Sequence, residues 1–181
     1  PNTSIQSNYA FAYFGYSVAA AGDVNGDGYD DIIVGATNYE LGQSNEGAAF
    51  IYHGSATGIN TTPATILQAD QADAFFGYDV AGNADLNNDG YDDVIVSAYM
   101  FDNGQTNEGR VFIYYGSPSG VNSTPVLTLE SDQPNAYFGR SIAINGDVNN
   151  DGYEDLVIGA SHYDNILSGE GRVFVYLGTA A

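Results

Sequence analysis

The sequence has no cysteine, and only 3 of its 181 residues are Lys or Arg. The first absence removes disulfides, thiolate metal ligands and cysteine nucleophiles together. The second, set against 23 Asp and Glu, leaves a formal charge of -20. That field repels nucleic acid and anionic membrane surfaces, so neither is expected as a partner, and cations are. Apolar runs as long as the roughly 18 residues a membrane helix needs are also missing, so no membrane insertion is expected. The N-terminus lacks the charged and apolar regions of a signal peptide. Helical periodicity is absent too, which makes the expected fold class all-β.

What the chain does contain is one nonapeptide written three times: Asp23-Val-Asn-Gly-Asp-Gly-Tyr-Asp-Asp31, Asp85-Leu-Asn-Asn-Asp-Gly-Tyr-Asp-Asp93 and Asp147-Val-Asn-Asn-Asp-Gly-Tyr-Glu-Asp155. The copies are 62 residues apart, and they hold 12 of the 23 acids. So strict a period indicates a repeat architecture, each unit burying its apolar face on its neighbour.

Around each copy the same short apolar runs recur. Strands are expected over 14–21, 32–36, 49–52 and 65–67, then 94–96, 110–115 and 126–129, then 156–158 and 172–177. Four short antiparallel strands per repeat, joined by Gly-rich turns, describe a blade of a β-propeller; a β-solenoid is the rival, with shorter coils. The Phe-Gly pairs place Ile5 opposite Leu67 and Leu129. The expected boundaries are therefore 1–13 as an orphan outer strand, 14–75 and 76–137 as complete blades, and 138–181 as a blade lacking its outer strand. Closed rings have about four to eight blades. The array is accordingly expected to be half or part of a ring closed by strand exchange between termini or chains. A homo-oligomer, a dimer giving six blades, is the favoured form, and a piece of a longer propeller fits equally.

Each acidic loop offers oxygen at its positions 1, 3, 5, 7 and 9. These are Asp23, Asn25, Asp27, the Tyr29 carbonyl and Asp31; Asp85, Asn87, Asp89, the Tyr91 carbonyl and Asp93; and Asp147, Asn149, Asp151, the Tyr153 carbonyl and Asp155. Gly28, Gly90 and Gly152 stand where the chain must turn around an ion. An all-oxygen shell suits Ca2+, one ion per repeat, whereas zinc would want His or Cys. The bland alternative is an ion-free Asp/Asn/Gly turn, since those residues turn well by themselves. Recurrence of the same ligand types favours the ion. An EF-hand is excluded: its twelfth position, a bidentate Glu, is here Val34, Val96 or Ile158, inside an apolar strand.

Phe-Gly, then the nine-residue acidic loop, then Gly35-Ala36 or Gly159-Ala160, resembles the FG-GAP repeat of integrin α-subunit β-propellers and of many bacterial surface proteins. The second copy departs with Ser97-Ala98, and no copy has the final Pro. The resemblance implies calcium-binding blades and a partner-binding face opposite the calcium loops, built from 37–46, 99–108 and 161–170 with 6–13, 68–75 and 130–137. Tyr39, Tyr99, Met100, Phe101, His162 and Tyr163 lie there without repeating cleanly, as residues recognising a protein or glycan would, the alternative being harmless rim residues. Arg-Gly-Asp is absent.

No catalytic constellation emerges. Glu46, Glu108 and Glu170 recur symmetrically before a Gly, which suits a turn, and His53 and His162 are expected as rim residues. The function expected is a calcium-binding adhesion or protein-binding module with structural calcium. The alternatives are a propeller fragment that self-assembles into a multi-chain ring, and a carbohydrate-binding or accessory part of an extracellular enzyme. Sites of roughly 0.1 to 1 mM affinity work only where calcium is abundant, so the expected location is extracellular or cell-surface.

Overall fold

A computed structural model describes residues 3–144 and 146–178. Residues 1 and 2 of the expected orphan strand and 179–181 of the third blade lie outside the described residues. All eleven elements among the described residues are strands. β1 (Phe14–Gly22), β2 (Asp31–Ala36), β3 (Ala48–Tyr52) and β4 (Thr65–Leu67) form one antiparallel sheet in chain order. The second sheet repeats it with β5 (Phe76–Ala84), β6 (Asp93–Ala98), β7 (Arg110–Tyr114) and β8 (Leu127–Glu130). The third holds β9 (Phe138–Ala143), β10 (Leu156–Ala160) and β11 (Arg172–Tyr176), in the order β11-β10-β9. These are three propeller blades.

The middle strands read as unbroken apolar runs because both their faces are covered: β3 and β6 are buried along their whole length. Register repeats with the sequence. Ile33 faces Ile51 and Val34 faces Phe50 in the first blade, as Ile95 faces Ile113 and Val96 faces Phe112 in the second. β1 and β5 both break register twice, between Phe14 and Val18 and between Ala20 and Gly22, and at the equivalent Phe76/Val80 and Gly82/Ala84. Such irregularities bend and twist a strand.

The core lies between blades. One cluster joins Ile33, Ala49, Ile51 and Leu67 of the first blade to Phe76, Val80, Val96 and Tyr114 of the second. Another joins Ile95, Val111 and Ile113 to Phe138, Ile142 and Ile158 of the third. The phenylalanines form edge-on pairs inside each blade, Phe14 with Phe50, Phe76 with Phe112 and Phe138 with Phe174, at 5.5, 5.2 and 5.2 Å.

At the first joint the main chains touch. A Cβ on Gly35 would stand 2.1 Å from the Gly77 carbonyl oxygen, and one on Gly47 2.2 Å from that of Phe76. Phe76 N–H donates to the Glu46 carbonyl at 2.8 Å, and Phe138 N–H to that of Glu108 at 2.9 Å.

No strand is assigned to residues 3–13, most of the stretch expected as an orphan outer strand over 1–13. In the single chain their expected strand partner is not beside them. Ile5 instead packs, half-buried, with Phe14, Tyr39 and Ile59 against Val34, Phe50 and Tyr52.

Candidate metal centre

Each acidic loop links the first two strands of its blade. In the first, Asp23 accepts Asp27 N–H on Oδ1 at 3.0 Å and Gly28 N–H on Oδ2 at 2.8 Å. Asn25 Oδ1 accepts Asp27 N–H at 2.8 Å, and Asp27 Oδ1 accepts Tyr29 N–H at 3.0 Å. The second loop repeats this through Asp85, Asn87 and Asp89, and the third through Asp147, Asn149 and Asp151. The backbone is left-handed at Gly28, Gly90 and Gly152, with φ of 87°, 93° and 93°. It is also left-handed two residues earlier, at Gly26, Asn88 and Asn150, the residue types that tolerate it. Asp147 is held below the usual carboxylate range, chiefly by Gly152 N–H.

Position 9 is built differently. Asp31, Asp93 and Asp155 are buried, and both oxygens of each are committed to backbone N–H groups. One oxygen takes position 2 of its own loop, from Val24, Leu86 and Val148 at 3.2, 2.8 and 2.7 Å. The other takes Gly54, Gly116 and Gly178, beyond the third strand, at 2.8, 2.9 and 2.9 Å. Each is a clamp between the acidic loop and the turn beyond the third strand. Burial pushes the Asp93 carboxyl up to about 7, against the two N–H donors, with Asp85 and Asp89 adding to the rise. Burial raises Asp31 as well.

Positions 1, 3 and 5 are thus drawn together around shared N–H donors, while position 9 reaches into the sheet. Among the described residues no three Asp, Glu, His or Cys side chains are gathered into a ready-made cation cage. The loop oxygens that accept one N–H keep a second lone pair. Among the described residues no Lys or Arg pairs with them: the ion pair found there is Arg110 with Glu130, at 2.6 Å and away from the loops. Position 8 adds a bridge that spacing does not reveal. Asp92 Oδ2 accepts Asp23 N–H at 2.8 Å, tying one blade's loop to the next. Gly54, Gly116 and Gly178 were legible as a further 62-residue recurrence.

The sequence profile of the FG-GAP repeat matches residues 14–52, 76–114 and 138–176. The chain belongs to the FG-GAP repeat family. Each matched FG-GAP segment holds the first three strands of a blade and its acidic loop. The chain is 34% identical to integrin alpha-5 of Xenopus laevis over 189 residues, covering 96% of this chain and 18% of that protein. It is 38% identical to integrin alpha-6 of Homo sapiens over 152 residues, 81% of this chain and 12% of that one. With integrin alpha-PS3 of Drosophila melanogaster it shares 37% over 161 residues, 85% and 14% of the two chains. It spans less than a fifth of each of these relatives.

The FG-GAP signature residues are joint residues. Phe76-Gly77 seats on Gly35 and Gly47 of the preceding blade. Phe138-Gly139 seats on Ser97 and Gly109, where a Cβ on Gly139 would stand 3.0 Å from that of Ser97. The departing Ser97 earns its place by accepting Asp79 N–H at 3.0 Å.

The opposite face needs correction. Tyr39, Phe101 and Tyr163 do repeat, at the 62-residue spacing. They pack on Phe50, Phe112 and Phe174 at ring separations of 5.1, 5.6 and 5.6 Å, and Phe101 is buried. Recurrence makes them core. What spans the three blades instead is a ladder of Tyr16, Tyr78, Tyr99, Tyr137 and His162, with successive rings 4.2 to 5.7 Å apart. The exposed Arg140 guanidinium lies 5.3 Å from the Tyr99 ring. Met100 is half-buried nearby in sequence, and His53 is half-buried, its Nε2 without a hydrogen-bond partner. Glu46 and Glu108 are buried carboxylates that accept loop N–H groups of Leu41 and Asn103, which supports a role in shaping the turn. Glu170 does the same, exposed, for Ile166 at 3.3 Å.

Proposed function

We propose that this FG-GAP array is an extracellular, calcium-stabilised propeller module for adhesion or protein binding. One Ca2+ per repeat is held by Asp23, Asn25, Asp27 and the Tyr29 carbonyl and by their equivalents, with Asp31, Asp93 and Asp155 completing or bracing the site. The observation that carries this is the same all-oxygen loop in three successive blades, each with unneutralised carboxylates. Calcium here is structural: it neutralises a loop whose acids otherwise repel and fixes the turn that leads into the second strand. Binding to the folded state alone raises stability by mass action, by about 2.7 kcal/mol per site at a hundredfold excess over Kd. Calorimetric melting in calcium and in chelator tests this. The expected result is a midpoint higher by at least about 5 °C in calcium, with magnesium less effective. Equal midpoints would overturn it. The partner face is the Tyr16–His162 ladder with Arg140, residue types that dominate protein interfaces.

A further inference from the structure

The first and second acidic loops touch, and the residues around them leave room for it. Asp92, at position 8 of the second loop, accepts Asp23 N–H on Oδ2 at 2.8 Å, and its own N–H donates to the Asp23 carbonyl at 3.3 Å. The carboxylate fits because Gly22 has no side chain: a Cβ there would stand 2.2 Å from Asp92 Oδ2. Beside it the Tyr91 ring lies on Gly26, where a Cβ would stand 2.6 Å from the ring. Ser117, next to the Gly116 that Asp93 holds, donates its N–H to the Val24 carbonyl at 3.0 Å. The second and third loops lack the first two fittings. Ala84 stands where Gly22 does, Asn88 stands where Gly26 does, and position 8 is Glu154. Among the described residues no hydrogen bond joins Glu154 to Asp85, and Glu154 Oε2 is buried without a partner.

We propose that Asp92 is a positioning residue for the first ion site, so that the first two loops bind calcium cooperatively while the second and third bind independently of each other. Asp92 stands in the chain between two oxygens of the second site, the Tyr91 carbonyl and the Asp93 carboxylate. An ion in the second loop therefore fixes the main chain of Asp92. Its N–H and carboxylate in turn hold the carbonyl and N–H of Asp23, whose side chain is position 1 of the first site. A loop already ordered by its neighbour loses less conformational entropy when it takes its own ion. The coupling is reciprocal, since what the second ion does for the first site the first ion does for the second. Glu154 gives the third loop no such hold on Asp85. The inference rests on the calcium reading and adds to it the dependence of one site on the next.

Calcium titration calorimetry of the full chain separates the loops when sites are removed by substituting Asn for Asp27, Asp89 or Asp151, singly or in pairs. Asp151→Asn keeps the first and second sites. The product of its two affinities is expected to exceed the product measured with each of those sites alone by at least about fivefold. Asp27→Asn keeps the second and third sites, and there the two products are expected to agree within about twofold. Adding Asp92→Ala to Asp151→Asn is expected to abolish the excess, whereas Asp92→Asn, which keeps an acceptor for Asp23 N–H, retains it. A merely structural Asp92 would lower melting in chelator and in calcium and leave the excess in place. Should Asp92→Ala fail to fold, the comparison of the two pairs still decides. No calcium bound by any loop overturns the calcium reading and this inference with it. Binding without an excess in the first pair, an equal excess in both pairs, an excess that survives Asp92→Ala, or one lost equally in Asp92→Asn overturns this inference alone.

Discussion

Tyr114 carries its hydroxyl into the joint between the first two blades, where the oxygen is buried without a hydrogen-bond partner. Burial, and then the charge of Asp70, raise its ionisation above the usual 10. A tyrosine in the unfolded chain loses its proton first, so between the two values the folded state holds more protons. The associated stability is complete below pH 10 and declines as pH rises beyond it. Tyr114→Phe removes both the orphaned hydroxyl and this decline. Urea unfolding is expected to show a gain of about 1 kcal/mol at pH 7 and a flatter loss above pH 10; a loss at pH 7 would mean that the hydroxyl has a water partner. Reading from sequence reached residues such as Tyr114 only in part. An apolar-run position predicts burial, but whether a hydroxyl finds a donor depends on the neighbouring blade. The same limit applies to Asp93, whose spacing marks it as a loop oxygen while its bond to Gly116, 23 residues on, belongs to the folded sheet.

The acidic loop and the strand that follows it act as one element, fastened by position 9. Two substitutions separate fastening from ion binding. Asp93→Ala strands buried N–H groups of Leu86 and Gly116, and is expected to cost about 2 to 4 kcal/mol in chelator as well as in calcium. Asp89→Asn keeps an acceptor for Tyr91 N–H in an exposed loop, so melting in chelator should barely change while calcium titration calorimetry loses one site. If both variants behave alike, the division between clamp and ligand fails. At this scale the sequence was highly legible. The strand positions expected from apolar runs match β2, β3, β6 and β10 to within about two residues; β2, β3 and β6 are covered on both faces and need no alternation, and β10 keeps the same apolar run although its burial alternates. The outer strand read over 1–13 rested on aligning Ile5 with Leu67 and Leu129, and no strand forms among residues 3–13.

Across the whole molecule, the charge of -20 is spread over loops that repeat at every blade. Chelated protein is therefore expected to melt higher as sodium chloride is raised from about 0.01 to 0.5 M, since screening relieves the self-repulsion. In saturating calcium the salt dependence should shrink; an equal slope in both states would place the repulsion elsewhere. Periodicity made the blade count and the joints readable, while the core role of Tyr39 and Phe101 stayed hidden, because residues that differ in type at one repeat position look irregular until they are aligned.

The contact between Gly35 and Gly77 brings backbone against backbone with no side chain between them. At that point of the joint the approach of the two blades is limited by main-chain contact, and the side-chain core packs around it. The equivalent point of the second joint carries a side chain, Ser97, against Gly139. The two joints therefore differ by one hydroxymethyl group at the place where glycine meets glycine in the first, and Ser97→Gly would make the second joint match it.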